Sequence, residues 1–189
     1  MNKVICIIMV GILGSGIDLR GDSDQRGVWM WQSGGVYGSL YVISTSLLRT
    51  QHINWLQYKG IDRVYGSFGN FVGGVNEPNV IAWNDALDAA GIESHLLLGG
   101  SGAILDNPVT PDGDLLSLLN KITSRYVNFN ASLLDPAQRF DGIHLDLEPQ
   151  QLSEWDWYPT DIPARLENRR QLYLKLRDTY EAIRNHLIA

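Results

Sequence analysis

The chain has 189 residues, 44% of them hydrophobic and 19% charged, a balance ordinary for a soluble globular protein and a length that suggests one domain. A net charge of −6 argues against a nucleic-acid partner, since such binders present a basic face. Six Trp and eight Tyr make it rich in rings, which serve either in a core or as stacking platforms for sugars.

At the start, Lys3 precedes an apolar run from Val4 to Leu13, too short to span a bilayer, and Gly14, Ser15 and Gly16 follow it. Residues 1–16 therefore read as a secretory signal peptide, with a mature domain of 17–189 that is secreted or periplasmic and carries no membrane span. A buried first strand is the alternative. The single cysteine, Cys6, falls inside this segment and leaves the mature chain without a thiol. Asn130-Ala131-Ser132 is a glycosylation sequon.

Gly27-Val28-Trp29-Met30-Trp31 predicts the first strand, and a glycine-containing loop leads to a helix over about Ser44 to Lys59, stopped by Gly60. Ile61 to Gly66 is the second strand. Pro78 opens a helix with an apolar side from Val80 to Ala90, and Gly91 closes it. Glu93 to Leu98 is the third strand, ending at Gly99-Gly100, and a helix covers Leu115 to about Asn128. A loop bearing Trp155, Trp157 and Tyr158 follows the fourth strand. Asp161 then caps a long helix with an apolar stripe of Leu166, Tyr173, Leu176, Tyr180, Ile183 and Leu187. Four strands alternating with four helices indicate an α/β fold of parallel β/α units.

The fourth strand is the centre of the chain. From Gly142 to Glu148, Ile143, Leu145 and Leu147 alternate with His144, Asp146 and Glu148, and Pro149 stops the ladder. Residues two apart on one face lie roughly 6–7 Å apart, so the three polar groups form a file. Three ionisable groups on a buried face are costly, so either the face is solvated or the groups are retained for chemistry.

These two strands resemble the family 18 glycoside hydrolases, the chitinases and endo-N-acetylglucosaminidases, which carry S-x-G-G on strand three and D-x-x-D-x-D-x-E on strand four of a (β/α)₈ barrel. Here the matching stretches are Leu97-Leu98-Gly99-Gly100 and Asp141 to Glu148, with Leu97 in place of the serine and His144 in place of the second aspartate. The resemblance implies that Glu148 protonates the leaving oxygen and Asp146 orients the substrate's N-acetyl group, whose oxygen is the nucleophile. A strand end is where barrel active sites lie, and a neighbouring Asp146 carboxylate would raise the Glu148 pKa as an acid requires. His144 either holds Asp146 in place of the missing aspartate or is a satisfied interior histidine. Asp141, on the other parity, suits a structural turn.

Trp155, Trp157 and Tyr65 are candidate stacking residues for the sugar, and Gly99 and Gly100 allow a backbone or substrate to come close. Packing of the aromatic loop is the plainer account of the tryptophans. Asn76-Glu77-Pro78 looks like an acid/base tripeptide but follows the second strand, where helix-entry chemistry explains it. A metal site built from His95, His144, Asp146 and Glu148 is a weaker alternative, and no cofactor or metal is assigned. A TIM-type barrel needs eight units and typically about 250 residues, whereas four units are present. A truncated product, a half barrel that self-associates through its open edges, and an open four-stranded sheet are the three readings. In the first two the isolated chain is expected to be inactive, and a carbohydrate-binding pseudoenzyme competes with catalysis.

Overall fold

Ladder and helix alternate along the chain as the apolar periodicity requires, and the computed structural model describes residues 26–32, 38–158 and 160–188. The expected signal peptide and Cys6 lie outside the described residues. Strand β1 is Gly27–Met30. Helix α1 (Ser39–Ile43) forms where a loop was expected, and α2 (Ser46–Tyr58) takes the place of the helix expected over about Ser44 to Lys59, capped by Thr45, which accepts the Leu48 N–H. Strand β2 is Arg63–Gly66, α3 is Glu77–Ala89 and β3 is Glu93–Gly99. Gly60 and Gly91, with φ of 63° and 72°, take the left-handed backbone that ends α2 and α3.

The next helix also divides. α4 covers Gly113–Ile122, a π-helical turn spans Thr123–Val127, and α5 is Asn128–Ser132. Ser124 Oγ donates to the Asn120 carbonyl at 2.8 Å, a bond within the helix that competes with its regular ladder. Strand β4 is Gly142–Asp146, two residues shorter than its alternation predicts. The last helix, α6, runs Ile162–Ile188, and Asp161 Oδ1 accepts the Ala164 N–H at its start. Among the described residues no helix is long and apolar enough to cross a membrane.

Two compact units emerge: the chain up to Leu97 with Arg125–Leu145, and Leu98–Ser124 with the chain from Asp146 onward. The first carries the sheet, with strand order β1-β2-β3-β4 and parallel β1/β2 and β2/β3 pairs in which Trp29, Tyr65 and His95 share one row. Strand order without reversal, joined by right-handed crossovers, puts α2 and α3 on the same face. Val64 and Leu96 are fully buried on that face, and Ser94 Oγ donates to Asn84 of α3 at 2.8 Å. Asp141, at the entry to β4, accepts the Ser94 N–H at 2.8 Å while its own N–H donates to the Ser94 carbonyl. It is a backbone clamp, as its parity suggested.

The second unit packs α4 and α6 around the turn at Ser101–Ile104. Leu115, Leu118 and Ile122 of α4 and Leu172, Leu176 and Ile183 of α6 are buried in its core. The buried stripe of α6 is Leu172, Leu176, Thr179, Tyr180 and Ile183. Leu166 and Tyr173, expected in it, are 58% and 46% exposed. At 100° per residue Tyr173 falls one step off the line through Leu172 and Leu176.

Candidate active site

Glu148 lies just past the end of β4, in the second unit. Its N–H donates to Ser101 Oγ at 2.9 Å, so a side chain supplies the partner that the strand ladder would have given. This is why β4 ends at Asp146. Pro149 then opens a 3₁₀ turn, Pro149–Gln151, whose two amides reach back to the carboxylate. Gln150 Nε2 donates to Glu148 Oε1 at 3.0 Å, and Gln151 Nε2 donates to Oε2.

Burial, and after it the charge of Asp146, push the Glu148 carboxyl above its ordinary value. Both causes favour the protonated form, the form in which a carboxyl donates a proton. Asp146 is half-buried, and its charge also acts on the buried Tyr180 hydroxyl, which desolvation first and Asp146 second push up to about 12.

Gly99 and Gly100 bring Ser101 to this place. A side chain at Gly99 would stand 3.4 Å from the Asp146 carbonyl, and Gly100 has φ of 156° with ψ of 68°, backbone that favours glycine. Their work is backbone approach and turning. Trp155 is half-buried: the Arg169 guanidinium sits over its ring at 4.6 Å, the Tyr173 ring meets it edge-on at 5.6 Å, and Arg169 Nε donates to its carbonyl. Trp157, by contrast, is 50% exposed, and beside it Tyr158 holds φ of 63°.

The other expected residues belong to the first unit. His144 is buried with its ring 4.4 Å from that of Tyr65 and 6.0 Å from that of Trp29. Tyr65 is only 5% exposed, enclosed by Trp29, His95 and His144, so its ring is a packing surface in this structure. His95 is buried too, and Glu93 Oε2 meets both His95 Nε2 at 3.0 Å and Arg63 Nε at 2.6 Å. Desolvation outweighs that carboxylate and lowers the His95 pKa. Glu77 opens α3 and accepts the Gly73 N–H at 2.5 Å, so its carboxylate serves the helix entry. Among the described residues no group of three or more His, Cys, Asp or Glu is placed to hold a metal ion.

Three residues of the Glu148 surroundings escaped the sequence reading. Ser101 stands directly after the Gly99-Gly100 pair, which was the available signal. Gln150 and Gln151 follow a proline, a position that turns the chain back on itself. No family model, curated protein or solved structure matches the chain.

Proposed function

We propose that the chain is a glycoside hydrolase-like domain of the family 18 type, acting on a glycan that contains N-acetylhexosamine. Glu148 is the general acid and Asp146 supports it. The observation that carries this reading is the Glu148 carboxyl at the end of a parallel strand, raised by burial and by Asp146. In this mechanism the protonated Glu148 delivers its proton to the glycosidic oxygen as the C1–O bond breaks. The acetamido oxygen bonds to C1 in the same step, with Asp146 orienting the amide. Water then attacks C1, gives a proton back to Glu148 and releases the acetamido group.

The unreversed strand order supports a TIM-type barrel of which four units are present here. A secreted or periplasmic location belongs to the same proposal, as does self-association through the open edges. The second reading, a carbohydrate-binding pseudoenzyme, draws on the two amides that occupy both Glu148 oxygens, an arrangement that favours the ionised carboxylate. A metal-dependent hydrolase is the third reading, and activity lost with chelators would identify it.

The experiment is an assay of a chitin oligosaccharide with the chain extended to eight β/α units. Turnover abolished by Glu148→Gln is the expected result. Binding without turnover, unchanged by Glu148→Gln, assigns the pseudoenzyme instead.

A further inference from the structure

A cavity of about 630 Å³ lies wholly within the first unit and shares no residue with the surroundings of Glu148. Three consecutive residues of β1, Val28, Trp29 and Met30, line it. Neighbours in a strand point to opposite faces, so a cavity that touches all three runs along the free edge of the strand. Helices α1 and α2 form the other wall, with Tyr41, Leu48, Gln51, His52 and Trp55.

The chemistry of this lining is selective. Tyr41 and Trp55 are 43% and 46% exposed, so these residues are not sealed in a core. No charged side chain lines the cavity among the described residues. Its polar groups include the Gln51 amide and the His52 imidazole, beside the Tyr41 hydroxyl and the indole N–H of Trp55. His52 is half-buried, and its ring lies tilted against that of Trp55 with centroids 5.7 Å apart. Burial lowers its pKa, which keeps the ring neutral, with one nitrogen donating and the other accepting.

Open ring faces beside neutral donors and acceptors suit a ligand that has apolar faces and a hydroxylated rim. Among the described residues of the lining an anion or cation would find no counter-charge. The volume falls in the range of small-molecule sites, about 300–1,000 Å³. An extended peptide added to the edge needs length, and three residues of strand offer only about 10 Å.

We propose that this cavity is a binding site for an uncharged carbohydrate of one or two pyranose rings, stacked on Tyr41 and Trp55 with its hydroxyls on Gln51 and His52. It stands apart from the Glu148 reading and survives if that reading fails. As a non-catalytic site it would hold the chain on a glycan surface.

The test is titration of the full chain carrying Glu148→Gln with two neutral disaccharides, cellobiose and the β-linked dimer of N-acetylglucosamine, followed by tryptophan fluorescence and ligand-observed NMR. Saturable binding of at least one is expected. Trp55→Ala should weaken it about tenfold, the scale of one lost aromatic stacking partner, and Gln51→Ala should weaken it less. Trp55 is half exposed, so its removal leaves the core in place, and Trp55→Phe should recover part of the affinity. Three results would overturn the proposal: no saturable binding of either sugar, binding indifferent to Trp55→Ala, or indole binding where both sugars fail.

Discussion

The Glu148 N–H and the Ser101 hydroxyl meet at 2.9 Å, tying the second residue past strand β4 to the turn after strand β3. This bond replaces a ladder bond, so it sets both where the strand stops and where the carboxyl begins its reach. Ser101→Ala removes the acceptor while the half-buried N–H stays. A loss of about 0.5–1.5 kcal/mol is expected, with a shift of the Glu148 amide resonance. Unchanged unfolding midpoints and an unmoved amide signal would show that the bond does not form in solution.

The raised Glu148 pKa carries a signed consequence. Burial first, and Asp146 second, favour the neutral carboxyl in the folded chain. A group raised on folding contributes stability that is fully present below its unfolded value, 4.5, and is lost as pH rises through the folded value. Glutamine copies the neutral form at every pH. Glu148→Gln should therefore gain stability relative to the parent chain as pH goes from about 4 to about 7. Denaturant unfolding at both ends of that window, with a carboxyl-carbon NMR titration, measures it. A carboxyl that titrates below 4.5 would refute the assignment.

How far the sequence disclosed these features depends on the kind of signal. Period-2 alternation located β4, and the Gly60 and Gly91 stops located the ends of α2 and α3, because those signals are local. The short helix α1 and the π turn after Ile122 were not visible, since α1 has too few residues to show a period and the π turn arises where a side chain competes for a backbone bond. Tyr65 was legible as a strand residue. Its enclosure by Trp29, His95 and His144 was not, because that depends on which rows of parallel strands come level. Asp146 and Glu148 could be named from one strand. Ser101, Gln150 and Gln151 could not, because their contacts depend on a turn whose geometry no periodicity encodes.

Asn130 looks like a glycan acceptor in the sequence, and its amide is already engaged. Its Nδ2 donates to the Phe140 carbonyl at 2.8 Å, and the Phe140 N–H donates to its Oδ1 at 3.0 Å. Phe140 is fully buried, so both of its backbone groups depend on this one side chain. Expression in a glycosylating host should leave Asn130 unmodified, as read by peptide mass spectrometry. Asn130→Ala should cost about 1–3 kcal/mol through the unsatisfied Phe140 groups. A glycan found at Asn130 on folded protein would contradict both expectations.

The edges of the sheet set the last prediction. β1 and β4 are its outer strands, and among the described residues neither has a second neighbour. An open parallel edge presents unpaired donors and acceptors that proteins ordinarily cover or protect with charge. Here β1 carries Trp29 and leads into Trp31, 45% and 55% exposed, with no lysine along the strand. The chain should therefore self-associate, its apparent mass in size-exclusion chromatography with light scattering rising with concentration. Trp31→Lys places a charge beside the edge and should shift that equilibrium toward monomer while leaving the core untouched. The sugar proposed for the β1 cavity would occupy the same edge and should act in the same direction. A monomer at every concentration, unfolding cooperatively, would mean that the edges are stable as they stand and that the fold is an open sheet, not half of a barrel.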